Sequence, residues 1–545
     1  MSKPALQYPE LSPELRGGLH WRMLKYFGAG AIIASVTIGS GETLFASRGG
    51  AIFGYTLLWC FVGGALMKGI QVYTAARYIT LTGEHPMTHW GHLPGPRNWV
   101  PVVIGILSVL CFPFWLAGLP LMLGKTINWI IGIDPGQTPE SEYNFLQISR
   151  GWGTLCIIVA ITLTWIQSYN VLEKVQTFIV GLLLMSLMAA CFISRPDWLA
   201  ALAGMVPGVP HIDQWIVDKY PQIAMSGDYA KQVLAQNPEL AQQPDYQFLL
   251  DNDFNVDKLD SSSSVLQSLK DAYAKMAKPP WVEVGVYLGA IGGGTYDYLG
   301  YIGCLREKAW GLIGMKRSDT NEDPHEIESI ATSANTLPIS TSRENIKRGR
   351  AWLRPAKIDV GIGFLCVLVF TICFVLLGAH ILRPQQIIPE GHNLLTHQAK
   401  FLTQFGQGWL FIYQLGIFMA FWGTIYGAYE IYIRTTYECL RPLSQTFRQI
   451  PMKKLRAMVL AYCGIGGLTL MWIFPDPVKI VTPAAIVGVV ASGFWCFAMV
   501  WVDRCFVPGP LRMGRILVTL TIIAGLTMTA LGAKSLWEYV AGLIS

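Results

Sequence analysis

Two carboxylates stand beside glycine-rich interruptions of otherwise apolar stretches. Residues 27–58 are interrupted at Gly39-Ser40-Gly41-Glu42, and residues 280–305 carry a matching interruption at Gly292-Gly293-Gly294-Thr295 with Asp297 just beyond. A continuous helix satisfies its own backbone in hydrocarbon, whereas a break strands carbonyl and N–H groups that lipid cannot solvate. Paired interruptions of this kind point to a midplane substrate site in a secondary transporter. The chemistry expected there is cation binding. Glu42 and Asp297 are the candidate metal ligands, supplemented by backbone at Ile38, Gly39, Gly41, Gly292 and Gly293, the hydroxyls of Ser40 and Thr295, and retained water, enough to meet the six oxygen ligands of a hard divalent ion. Without a cation the two carboxylates repel each other. The competing expectation is that both acids cap exposed N–H groups at the N-termini of the second half-helices, where negative charge is favoured. Tyr296 and Tyr298 are expected to wall the pathway. Glu430 is a candidate for the pathway or an ion site, or pairs with Arg434 one turn on.

The elements that must position these residues are membrane helices. Over 545 residues the chain is 52% hydrophobic and only 14% charged, which excludes an ordinary soluble globule. Stretches of roughly 20 apolar residues recur at about eleven places: near 24–53, 54–80, 99–124, 151–169, 174–194, 281–305, 357–382, 408–434, 456–474, 478–502 and 513–534. Lys and Arg gather before the first stretch, between the sixth and seventh, the eighth and ninth, and the tenth and eleventh. All of these fall on one side if the spans alternate, so the positive-inside rule predicts a cytoplasmic N-terminus and an extracytoplasmic C-terminus. This alternation argues against basic loops that bind nucleic acid. Residues 1–23 do not read as a cleavable signal peptide. The 11 cysteines lie in or beside apolar stretches and predict neither a disulfide framework nor a structural metal site. His85, His89 and His92, among prolines, read as solvated loop residues. Lys68 sits in the second span and needs a buried partner. Residues 251–260 lack the spacing of a calcium loop, and no nucleophile and base pair or cofactor loop suggests an enzyme.

Short matches in order along the chain give a family resemblance: Gly54-Tyr55-Thr56-Leu57-Leu58-Trp59 after the first interruption, Tyr169 to Glu173 between spans four and five, Arg195-Pro196-Asp197-Trp198 with Pro207 and Pro210, and Lys347-Arg348 through Asp359. In these the chain resembles the Nramp divalent-metal transporters. The resemblance implies an all-α polytopic membrane protein of LeuT-type inverted-repeat fold, with about 11 transmembrane helices, of which helices 1 and 6 are broken. Its divisions are then a cytoplasmic segment 1–23, a first repeat 24–210, a polar extracytoplasmic insert 211–279, the sixth span 280–305, a cytoplasmic loop 306–356, spans seven to ten over 357–505 completing the second repeat, and 506–545 with the last span. The implied activity is transport of a divalent cation across a membrane, expected to be the bacterial inner membrane, by alternating access and without a cofactor. The chain departs from the family at the centre. Gly39-Ser40-Gly41-Glu42 replaces Asp-Pro-Gly-Asn, and Gly293-Gly294-Thr295 replaces Met-Pro-His. Loss of the thioether favours a harder ion, Mg²⁺ or Mn²⁺, and few residues remain for a proton relay. The rival expectation is a LeuT-type symporter of an organic solute such as an amine or amino acid, coupled to Na⁺.

Overall fold

The computed structural model describes residues 5–16, 21–133, 138–166, 169–209, 281–313, 338–389 and 394–544, with short pieces and single positions between 136 and 269. The described chain is helical, apart from an isolated parallel bridge between Leu6 and Ile339. Each apolar stretch becomes a helix or a composite of helical pieces: α1 (Ala29–Phe53), α2 (Leu58–Thr82), α3 (Trp99–Ile130), α4 (Pro139–Ile166), α5 (Tyr169–Ser194), α6a and α6b (Trp281–Ala290 and Thr295–Cys304), α7 (Arg343–Leu377), α8 (Trp409–Leu440), α9 (Met452–Ile473), α10 (Pro477–Phe506) and α11 (Arg515–Ile544). Among the described residues eight of these are long and apolar enough to cross a membrane. The acidic run 251–260, most of the 211–279 insert and the acidic centre of the 306–356 loop lie outside the described residues.

Helix α1 is the axis of the bundle, buried along its length and packed against α5, α7 and α8. Small residues make this packing possible. A Cβ on Gly39 would lie 2.0 Å from the Thr424 hydroxyl and 2.4 Å from the Ala420 carbonyl of α8, and one on Gly41 would lie 2.0 Å from the Ala290 carbonyl at the end of α6a. This corrects one expectation. The interruption of α1 is not unwound: Ala29–Thr37 is α-helical, Ile38–Ala46 is a nine-residue π-helix, and Ser47–Phe53 is α-helical again. Neither Gly39 nor Gly41 takes a positive φ. The glycines give up side chains to let α6a and α8 approach, and the widened helix keeps its carbonyls occupied, that of Ile38 by the Thr43 hydroxyl at 2.7 Å. A π-helical segment inside an α-helix is rare and is found mostly at functional sites.

The interruption of α6 is a true break. Gly292 and Gly293 have φ of +76° and +86°, a region that L side chains rarely adopt, and α6b restarts at Thr295. Helix α7 begins well before its apolar part, at Arg343 with Ser342 as N-cap, because its first turns lie on the N-terminal segment: Tyr8 is buried, its N–H donating to Asn345 Oδ1 at 2.7 Å and its hydroxyl to the Leu81 carbonyl at 2.9 Å. The histidines near residue 85 are not all solvated. His85 caps a short helix, Pro86–Trp90, and both His85 and His89 are fully buried, His89 Nδ1 lying 2.9 Å from the Tyr78 hydroxyl. Proline at the first position of that helix starts it rather than forbidding it.

Backbone contact at Gly41 makes a methyl group there an overpacking defect, on the order of 1–3 kcal/mol. Gly41→Ala is expected to lower the thermal unfolding midpoint in detergent, whereas Gly408→Ala, where a Cβ meets nothing within 4 Å, leaves it unchanged.

Candidate functional site

The π-helical segment of α1 meets the break of α6 at the centre of the bundle. The Gly292 N–H donates to Glu42 Oε1 at 2.8 Å, and a Cβ on Gly293 would stand 2.6 Å from the Thr37 methyl. On α6b, Asp297 at the third helical position reaches back to accept the Gly294 N–H on Oδ2 at 2.7 Å. Each acid therefore caps an orphan donor of the broken helix with one oxygen. The other oxygen of each, Glu42 Oε2 and Asp297 Oδ1, is buried without a hydrogen-bond partner. Capping and ligation, alternatives when only the residue types are considered, are compatible here, because they use different oxygens of the same carboxylates.

Between these acids lies the partner that Lys68 requires. Its ammonium, 1% exposed as a residue, donates to the carbonyls of Gly289 at 2.8 Å, Ile291 at 2.6 Å and Gly293 at 2.6 Å. Gly289 is in the last turn of α6a and Ile291 and Gly293 lie in the break, so the charge sits at the negative end of that half-helix. All three ammonium donors are used. The Tyr298 hydroxyl donates to the Gly292 carbonyl at 2.5 Å and reaches that of Gly293 at 3.2 Å.

The other expected residues divide. Thr295 turns to α10, its hydroxyl 3.2 Å from the Gly488 carbonyl and 2.8 Å from Ser492 Oγ, so it is engaged away from the acids. The Ile38 and Gly292 carbonyls already accept bonds, and Gly39 and Gly41 serve helix packing. The side chain of Ser40 lies outside the described residues. Tyr296 is walled by aromatic rings: the Trp115 indole donates to its hydroxyl, and Phe112 and Tyr432 lie edge-on to it. Glu430 is not at the centre. It pairs with Arg456 of α9, and with Arg434 at 3.9 Å.

Three further contributors were not among the expected site residues. Asp359 of α7 accepts the N–H groups of Gly28 and Gly30 at 2.8 and 2.9 Å and the Tyr301 hydroxyl at 2.7 Å, tying together α1, α6b and α7. Gln398, in a helix Leu394–Thr403, donates to the Thr43 carbonyl at 2.7 Å and to Ser47 Oγ at 2.6 Å, and closes the opposite end. Gln71, one turn after Lys68, is fully buried with both amide atoms unpartnered. Among the described residues no cluster of three or more His, Cys, Asp or Glu side chains is placed to hold a metal ion, so a cation at this centre would meet two acidic donors with backbone, amide or water oxygens around them.

The sequence profile of the natural resistance-associated macrophage protein-like family, Nramp, matches residues 30–220. Among solved structures, a single-residue variant of the Eremococcus coleocola manganese transporter superposes with a TM-score of 0.59 at 11% identity, covering 99% of this chain and 91% of that one. The same transporter bound to an aromatic bis-isothiourea compound gives 0.58 at 11% identity, covering 100% and 92%. At that identity the likeness establishes the fold, the LeuT-type arrangement of membrane helices. No curated protein sequence matches the chain.

The divided roles of the two acids can be separated by substitution. Glu42→Gln and Asp297→Asn keep an acceptor for the Gly292 and Gly294 N–H groups and are expected to unfold near the parent temperature, whereas Glu42→Ala and Asp297→Ala each leave a buried N–H unpaired, costing about 1–3 kcal/mol. Thermal unfolding of the four purified variants checks this. Equal destabilisation by the amide and alanine variants would refute the capping role.

Proposed function

We propose, from the match of residues 30–220 to the Nramp-like family profile, that the chain is a secondary transporter of a divalent metal cation, Mg²⁺ or Mn²⁺, working by alternating access. The observation that carries this reading is the pair of buried, unpartnered carboxylate oxygens, Glu42 Oε2 and Asp297 Oδ1, presented by two interrupted helices. Oxygen donors suit a hard ion. The Lys68 ammonium offsets part of the carboxylate charge and so weakens retention, which suits an ion in transit. The protein is an integral membrane protein. We place it in a bacterial inner membrane with its N-terminus in the cytoplasm, in keeping with the basic loops. No catalytic chemistry is part of this reading.

Charge balance favours a second reading. Two ionised carboxylates and one ammonium leave a single negative charge, which a monovalent organic amine neutralises and a divalent ion overshoots. Reconstitution in liposomes separates the two. Saturable Mn²⁺ or Mg²⁺ uptake, reduced at least tenfold in Glu42→Gln and Asp297→Asn, is the expected result. Uptake of radiolabelled amines with no divalent flux would replace the metal reading by the second.

A further inference from the structure

The carbonyls of Gly289, Ile291 and Gly293 converge on one point at 2.8, 2.6 and 2.6 Å, and the Lys68 ammonium occupies it. Convergent carbonyls at the C-terminal end of a half-helix are how interrupted membrane helices hold an alkali cation. The dipole of α6a adds negative potential at the same point, and Glu42 and Asp297 flank it. The lysine stem lies along the break, its Cδ 3.4 Å from where a Gly292 Cβ would be. Every feature of a monovalent-cation site is present, and its cation is covalently attached to α2.

We propose that Lys68 is a tethered cation, filling a site that would otherwise take Na⁺ or K⁺, and that it frees the chain from any need for an alkali co-ion. Removal of the charge leaves three carbonyls aimed at a gap beside two acids. An alkali ion can restore the charge and coordinate the three freed carbonyls there, whereas choline is too large to enter. The absence of an alkali co-ion from transport rests on the transport reading above; the cation site itself does not.

The test compares the full-length protein with Lys68→Met in detergent, in sodium, potassium or choline chloride at matched ionic strength and without divalent ions. The parent's unfolding midpoint is expected to be the same in all three salts. Lys68→Met is expected to unfold several degrees lower in choline and to recover saturably with Na⁺ or K⁺. Extraction of the variant only in sodium or potassium chloride supports the proposal equally. A variant no more salt-specific than the parent, a parent that itself gains from Na⁺ or K⁺, or a variant that cannot be extracted in any of the three salts overturns it. Since no divalent ion is present, these outcomes leave the metal reading untouched. Conversely, absent divalent flux in the parent removes that reading and leaves the tethered cation standing.

Discussion

The structure depends on satisfying the backbone of α6 where it comes apart. Gly292 and Gly293 adopt φ of +76° and +86°, a geometry that ends one helix before the next begins, exposing N–H groups on one side of the break and carbonyls on the other. At bilayer depth no water is on hand to meet them. Each set is answered by charge of the complementary sign: the N–H groups of Gly292 and Gly294 by Glu42 and Asp297, and the carbonyls of Gly289, Ile291 and Gly293 by Lys68. The centre is thus a small cluster of ionisable groups held by backbone, whose burial is tolerable because each is hydrogen-bonded to the break through at least one atom.

That network dictates how α1 must be built. Glu42 reaches Gly292 only if α1 lies against α6a at backbone distance, which the missing side chain at Gly41 allows, and against α8, which Gly39 allows. Unwinding α1 at the same level would strand a second set of polar groups with no further lysine or acid to meet them. A π-helix widens the chain without releasing it, so Thr43 and Gln398 are enough to occupy its irregular carbonyls.

Much of this was legible in the sequence, for physical reasons that differ by residue. The helical stretches follow from apolar length, and the break in α6 from consecutive glycines followed by a helix-starting Thr and Asp. The glycines of α1 looked the same on the page, because a residue type cannot say whether a missing Cβ serves a positive φ or a close neighbour. Lys68 announced that it needed a partner, but carbonyls freed by a break far along the chain have no side-chain signature. Asp359 was visible only as part of a family-like segment, and its three bonds depend on where α1 begins. His85 and His89 were misread because the prolines around them start a short helix rather than exclude one.

Bonds of the same kind close both ends of the centre, and some of them must break if cargo passes as proposed. At the end capped by Gln398, amide contacts to the Thr43 carbonyl and Ser47 are joined by charged ones: Arg48 pairs with Glu283 of α6a at 3.2 Å, and Arg383, beyond α7, donates to the Ile52 carbonyl and pairs with Asp213. At the other end the Asp359 carboxylate grips two N–H groups and the Tyr301 hydroxyl, and Arg306 forms a fork with Glu438 at 2.6 and 3.1 Å. Hydrogen bonds with an ionised partner are roughly twice as strong as neutral ones, and both ends of the centre are closed by bonds of that kind. The Glu42 bond to Gly292 crosses between α1 and α6 within the moving part, so the two interrupted helices would travel together and keep the cation centre intact while one end or the other is released.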